Sequence, residues 1–158
     1  DIGIFMRRPK KLNYIQKKLI DIHSHLYGST KYLEKHGYPK SLSDLNKHKF
    51  ISFGKGAPHP VYNPDWALKL GLKDNKKRKS VMKVNSVYGL LLAVQSGVGI
   101  APLPDYITLN VPNIVKVLPK IEGPITEAHF VYPESLKNVA RVQAFRNFLY
   151  SKISEWKF

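Results

Sequence analysis

Hydrophobic and polar residues alternate along this chain with two different periods, which predicts a mixture of strands and helices. Residues 13–27 contain two strand-like stretches, and the second alternates strictly. One predicted face carries Ile20, Ile22, Ser24 and Leu26, and the other carries Asp21, His23, His25 and Tyr27. We expect the first face to be buried and the second to face water.

Helix-capping residues divide the next part of the chain. Ser29 or Thr30 begins a short helix that ends at Gly37, and the Ser-Leu-Ser-Asp sequence at 41–44 is a capping box for a second one. Residues 50–53 form a buried strand, and the Gly- and Pro-rich residues 54–64 form an irregular loop before a short helix with Trp66. Trp66 is expected to belong to the core.

The second half of the chain is also predicted to contain both strands and helices. Residues 81–84, 100–103, 114–118 and 128–132 are predicted strands. A helix follows the first of them, capped by Asn85 or Ser86 and ended by Gly97; its core positions are Val87, Leu90, Leu91 and Val94. A last helix has a predicted core stripe of Val142, Phe145, Leu149 and Ile153. The order is that of a mixed α/β protein.

Composition excludes several classes of protein and site. The 158 residues include no cysteine, so disulfides and thiolate metal sites are excluded, and no apolar run approaches the roughly 18 residues of a membrane span. The net charge of +15 is spread along the chain and is densest at Lys76, Lys77, Arg78 and Lys79, where we expect a solvated hairpin. We expect a soluble domain in the reducing cytoplasm.

Candidate chemistry in the sequence is sparse. His23 and His25 have a spacing that can bind zinc, but no third ligand is marked, so no metal is predicted. The Gly97-Val98-Gly99 sequence follows a helix and lacks a third glycine, which favours a helix C-cap and turn over a dinucleotide loop. No nucleophile elbow or other catalytic signature occurs, so neither an enzyme nor a cofactor is predicted.

Three sequence blocks resemble the effector-binding domain of LysR-type transcriptional regulators. They are Asp-Ile-Gly-Ile at 1–4, Tyr-Gly-Ser-Thr-Lys-Tyr-Leu-Glu-Lys-His-Gly at 27–37, and the stretch at 84–104 with Ser-Gly-Val-Gly-Ile-Ala followed by Pro-Leu-Pro. The third block is the most specific. The resemblance covers essentially the whole chain, and it implies that the sequence begins inside the effector domain, without the family's N-terminal winged helix-turn-helix.

The resemblance implies a periplasmic-binding-protein-like fold of two α/β lobes. We expect a partial first lobe at 1–8 and 110–158, a complete second lobe at 12–103, and crossover segments at 9–11 and 104–109. In this family the effector lies in the cleft between the lobes, where helix N-termini favour carboxylates.

By family position, the effector-binding residues are expected to be Ile4, Phe5, Met6, Gly54, Pro60, Tyr62, Asn85, Ser86 and His129. Ser86 and Tyr62 are the strongest of these candidates, although N-capping alone accounts equally well for Ser86. Related domains often place an arginine shortly after the first block, whereas here Phe5 and Met6 come first and Arg7 and Arg8 follow later. This departure weakens the prediction of an acidic effector.

The predicted function is therefore the sensing of a small organic effector, with a carboxylate favoured by the helix N-terminus. The resemblance further implies a homodimer or homotetramer in the full-length regulator, which would bind DNA through the winged helix-turn-helix and would not contact membranes. Two alternatives stay open. A solute-binding protein of the same architecture would carry a signal peptide, and a basic nucleic-acid-binding module would show steep salt dependence.

Overall fold

The computed structural model describes residues 2–6, 13–54, 65–74 and 76–156, which form eight strands and four α-helices. The strands are β1 Gly3–Phe5, β2 Tyr14–Ile22, β3 Ser24–Ser29, β4 Phe50–Phe53, β5 Ser80–Val84, β6 Ala101–Pro104, β7 Ile114–Glu122 and β8 Thr126–Pro133. The helices are α1 Thr30–His36, α2 Trp66–Lys69, α3 Val87–Gln95 and α4 Ala140–Ser154. The predicted mixture of strands and helices is confirmed.

The chain divides into two compact units. The first unit contains residues 1–22 and 125–158, and the second contains residues 23–124. The chain thus crosses after residue 22 and after residue 124, later than the segments 9–11 and 104–109 that the sequence predicted. The reason is strand pairing, because β2 pairs with β8 in the first unit whereas β7 pairs with β3 in the second.

The first unit is a three-stranded antiparallel sheet with α4 packed against it. The strand order is β1-β8-β2, and the buried residues lie mostly on the central strand β8, among them Phe130. The Phe145 ring of α4 meets the Phe130 ring edge-on at 5.9 Å, and the Tyr150 hydroxyl donates to the Lys18 carbonyl at 2.7 Å. These contacts hold α4 on the sheet.

The prediction that four residues of α4 form a buried stripe is wrong, because only the first of them is buried. Val142 is buried, but Phe145 is 41% exposed, and Leu149 and Ile153 are only half-buried. A helix of 15 residues is about 22 Å long, whereas three strands about 4.8 Å apart form a narrow support. The sheet of the first unit therefore covers only part of the apolar face of α4.

The second unit contains an antiparallel sheet of order β6-β3-β7 and the parallel pair β4–β5. One hydrophobic cluster packs on each face of β3: the first includes Leu26, Phe50 and Trp66, and the second includes Tyr27 and the inner face of α3. Tyr27 was predicted to face water, and this prediction is wrong because the sheet is covered on both faces. The core position of Trp66 is confirmed.

Local signals fixed the helix ends as expected. The Ser29 hydroxyl accepts from the Tyr32 amide at the start of α1, and the Ser86 hydroxyl accepts from the Gly89 amide at the start of α3. The predicted capping box at 41–44 forms, with the Asp44 carboxylate accepting from the Ser41 amide, although it begins a 3₁₀ turn, Asp44–Lys47, rather than an α-helix.

Candidate functional site

The candidate site in the second unit lies where two parallel strands end beside a helix N-terminus. Phe53 of β4 pairs with Val84 of β5, so both strands end at the same edge. Gly54 follows the first strand, while Asn85 and Ser86 follow the second and lead directly into α3. The carboxyl ends of parallel strands are the usual ligand-binding edge of α/β sheets. We call these three residues the β4–α3 corner.

Gly54 and Asn85 are in direct contact. The Gly54 amide donates to the Val84 carbonyl at 3.1 Å, which continues the pairing one residue beyond the strands. A Cβ atom on Gly54 would lie 2.1 Å from the Asn85 side-chain oxygen. Glycine is therefore required here for the asparagine to keep its place at the end of β5.

Ser86 sets the start of α3. Its backbone is extended, and its hydroxyl accepts from the Gly89 amide at 3.3 Å. Gly89 allows the first turn to approach β5, because a Cβ atom there would lie 2.5 Å from a Val84 methyl group. Both Asn85 and Ser86 are exposed. The corner therefore presents a helix N-terminus, with its positive dipole end, to solvent.

The other predicted site residues are distributed differently. Ile4, Phe5 and Met6 belong to the first unit, where Phe5 pairs with His129 across β1 and β8. The side chains of Ile4 and Phe5 are about half exposed, whereas His129 is only 2% exposed and lies 3.3 Å from the Glu127 carboxylate. Pro60 and Tyr62 lie outside the described residues. The corner accordingly unites Gly54, Asn85 and Ser86 of the predicted set.

A basic cavity that the sequence did not predict adjoins the ends of β4 and β5. It has a volume of about 470 Å³, and Ser52, Phe53 and Lys83 contribute to its wall. Lys77, Arg78 and Lys79 also line it, against one acidic lining residue, Asp65, which pairs with Lys77 at 3.4 Å. The sequence signal that could have indicated this cavity is the alternation of side chains along β5, which places Lys83 opposite Ser52 of β4.

Arg78 corrects the prediction of a solvated hairpin at 76–79. Its guanidinium donates to the Leu70 carbonyl at 2.7 Å, the Asn46 side-chain oxygen at 2.9 Å and the Leu42 carbonyl at 3.3 Å. It also lies over the Phe50 ring, 5.4 Å from the centroid. Arg78 thus ties three segments of the second unit together, as only a planar fork of donors can.

The two histidines considered for zinc each pair with a carboxylate instead. His23 contacts Glu122, and His25 lies 2.9 Å from Asp105. Asp105 also accepts from the Tyr27 hydroxyl at 2.9 Å and the Lys116 ammonium at 2.7 Å. Within residues 2–6, 13–54, 65–74 and 76–156, no three His, Asp or Glu side chains are grouped to hold a metal ion.

The hydrogen-bond partners of Asp105 lower the pKa of its carboxyl group. Burial would raise the pKa of the Asp105 carboxyl, but hydrogen bonds from Lys116, His25 and Tyr27 outweigh burial and hold that pKa below its usual value. Burial raises the pKa of the Tyr27 hydroxyl, which stays protonated and donates to Asp105. The group is therefore a structural network around one buried charge.

The sequence between α3 and β6 is a helix C-cap, as predicted. Gly97 has φ of +76°, its amide donates to the Val94 carbonyl, and the Val98 amide donates to the Ala93 carbonyl.

None of the helices in the described ranges is long and apolar enough to cross a bilayer.

Two curated proteins match this chain over segments of nearly equal length. An uncharacterized HTH-type transcriptional regulator of Haemophilus influenzae is 28% identical over 137 residues, which are 84% of this chain and 46% of that protein. The uncharacterized HTH-type transcriptional regulator YhjC of Escherichia coli is 27% identical over 138 residues, 81% of this chain and 44% of that protein. The chain thus spans about half the length of these relatives.

Solved structures show the same fold. The regulatory domain of CrgA, a LysR-type regulator from Neisseria meningitidis, superposes with a TM-score of 0.80 at 22% identity, covering 97% of this chain and 75% of that one. The effector domain of AmpR from Pseudomonas aeruginosa gives 0.66 at 16% identity, covering 97% of this chain and 71% of that one. The predicted α/β, periplasmic-binding-protein-like fold is confirmed.

The family model named LysR substrate binding domain matches residues 1–153, which is nearly the whole chain. The resemblance found in the three sequence blocks is thereby confirmed, and the chain belongs to the LysR substrate-binding domain family.

Proposed function

We propose that this domain senses a small organic anion, and that the β4–α3 corner provides the part of the binding site that holds the anionic group. Binding itself is what the family implies. The observation that carries the assignment to these residues is the exposed N-terminus of α3, capped by Ser86 at the carboxyl ends of a parallel strand pair. Amide groups of a first helical turn are natural donors to a carboxylate.

The charge around the corner supports an anion. Among the described residues, the basic cavity beside it is lined by Lys77, Arg78, Lys79 and Lys83, with Asp65 as the single acidic residue. Arg78 donates to three neutral oxygens, and no carboxylate in the described part of the chain pairs with it. An anionic effector would therefore enter a positive field, which raises its local concentration and its rate of association.

Sensing requires only that the effector bind one arrangement of the domain better than another. The effector then shifts the population toward that arrangement, by at most its difference in affinity. In the full-length regulator we propose that this shift alters a homodimer or homotetramer in the cytoplasm that binds DNA through a winged helix-turn-helix. The role is binding without catalysis.

A thermal-shift screen of the intact gene product against small carboxylates and aromatic acids tests this function. A ligand present at a hundred times its Kd stabilises the native state by about 2.7 kcal/mol. For a domain of this size we expect the midpoint to rise by roughly 5–10 °C. The same ligands as uncharged amides are expected to give no shift.

Two variants separate capping from binding. Ser86→Asp keeps a good N-cap but places a negative charge where the anion would bind, so the ligand-induced shift is expected to vanish while the unliganded midpoint stays. Ser29→Ala is the matched control, since Ser29 caps α1 with a hydrogen bond of the same 3.3 Å length. It lowers the midpoint without changing the ligand-induced shift. A full shift in Ser86→Asp would overturn the assignment.

A further inference from the structure

A second cavity in the second unit is independent of the β4–α3 corner. It has a volume of about 670 Å³ and is lined by two segments, residues 38–42 after α1 and residues 116–121 of β7. This volume lies in the range of pockets that hold small organic ligands. We call it the β7 cavity.

The walls of the β7 cavity are apolar and rest on the core. Val117 is buried, and Leu42 and Leu118 pack against the first hydrophobic cluster of this unit. Tyr38, which is 52% exposed, and Pro119 add apolar surface on either side. An apolar ligand body would thus be removed from water on entering, which favours binding.

All the charged residues that line the β7 cavity are lysines. They are Lys40, Lys116 and Lys120. Lys116 is committed to Asp105 at 2.7 Å, whereas in the described part of the chain neither Lys40 nor Lys120 pairs with a carboxylate. Asp44, the acid next to the first segment, accepts from the Lys40 and Ser41 amides and so is held within its own turn. Two ammonium groups remain for a ligand.

An irregularity in the pairing of β3 with β7 builds one wall of the cavity. Leu26 of β3 pairs with Val117 whereas the preceding His25 pairs with Glu122, so the four residues 118–121 bulge out of the register. Leu118 takes a φ of +51°, a costly backbone conformation for a branched side chain. The bulge places Leu118, Pro119 and Lys120 in the cavity wall.

From these features we infer that the β7 cavity is a second ligand site, for an amphipathic organic monoanion such as a medium-chain or aromatic carboxylate. The apolar body packs between the two segments, and the carboxylate binds the ammonium groups of Lys40 and Lys120. A small inorganic anion would leave the apolar walls unused, and a neutral hydrocarbon would leave the lysines without a partner.

Calorimetric titration of the intact protein with sodium octanoate tests the site, together with hydrogen–deuterium exchange to locate it. Octanoate is expected to bind and to protect the peptides that contain residues 38–42 and 116–121. The double variant Lys40→Gln/Lys120→Gln is expected to weaken binding by roughly fivefold, as the loss of two exposed charge pairs would. The matched control Lys73→Gln/Lys137→Gln removes two exposed lysines elsewhere and leaves the affinity unchanged.

Three results would overturn the inference: no octanoate binding, equal affinity for 1-octanol, or protection confined to other segments. Protection around residues 84–90 alone would mean that octanoate binds at the β4–α3 corner. Ser86→Asp separates the two proposals, because octanoate bound in the β7 cavity is expected to keep its affinity in that variant.

Discussion

Asp105 is a buried charge at the centre of a hydrogen-bond network in the second unit. Three donors from two strands, His25, Tyr27 and Lys116, converge on its carboxylate. A buried charge loses its hydration, so its stability contribution depends on those partners being present together. The consequence is a stability that changes with pH in a defined direction.

Asp105→Asn is expected to destabilise the protein by about 3 kcal/mol at pH 7, because hydrogen bonds to a charged acceptor are lost. The pKa of the folded-state carboxyl lies below that of an unfolded aspartate, near 3.9. The contribution of Asp105 is therefore complete above that value and is lost as the pH falls through the folded-state pKa. Urea unfolding at pH 7 and pH 3 measures it.

The exposed Asp74 provides the control for that experiment. It has a positive φ that asparagine tolerates as well, so Asp74→Asn is expected to change the free energy of unfolding by less than about 0.5 kcal/mol at either pH. A destabilisation by Asp105→Asn that is as large at pH 3 as at pH 7 would contradict the network described here.

Arg78 shows that a run of like charges can hide one structural residue. Arg78→Lys keeps the charge but loses the planar fork that reaches Asn46, Leu70 and Leu42, and we expect a loss of about 2 kcal/mol in the free energy of unfolding. Lys76→Gln, two positions earlier and exposed, is expected to have almost no effect. Equal losses in the two variants would restore the solvated hairpin predicted from sequence.

At the scale of elements, the turn between α3 and β6 contains two glycines, and each is required for a different physical reason. A Cβ atom on Gly99 would lie 2.4 Å from the Lys49 carbonyl oxygen, in the backbone that leads into β4. A Cβ atom on Gly97 would make only ordinary van der Waals contacts, the nearer one 3.6 Å from the Ser29 hydroxyl oxygen, but Gly97 has a φ of +76°. We expect Gly97→Ala to cost about 1 kcal/mol from backbone strain, and Gly99→Ala about 2–3 kcal/mol from the clash. Chemical denaturation of both variants measures the difference, and a larger cost for Gly97→Ala would be inconsistent with this packing.

The same elements show what local sequence determines. The caps at Ser29, Ser86 and Gly97 follow from residues within one helical turn; Gly97 was predicted by itself, and each serine was predicted as one of two adjacent candidates. The burial of Tyr27 and the exposure of the α4 stripe depend on what packs against each face, which periodicity does not contain. Element existence was therefore predictable, and the number of covered faces was not.

At the scale of the whole molecule, pairing between distant strands determines where the chain passes from one unit to the other, and local sequence patterns do not contain this information. The crossings after residues 22 and 124 follow from the partners of β2 and β7. The corner of Gly54, Asn85 and Ser86 was found because the family resemblance aligned residues that are far apart in sequence. The β7 cavity depends on a register jump between distant strands, for which no local pattern exists.

The most direct test of the account is a crystal structure of the domain with the strongest carboxylate from the thermal-shift screen. We predict carboxylate density at the N-terminus of α3, with an oxygen about 3 Å from the amides that follow Ser86. Density for the carboxylate elsewhere, with the N-terminus of α3 bound only to water, would contradict the assignment of the effector to the β4–α3 corner.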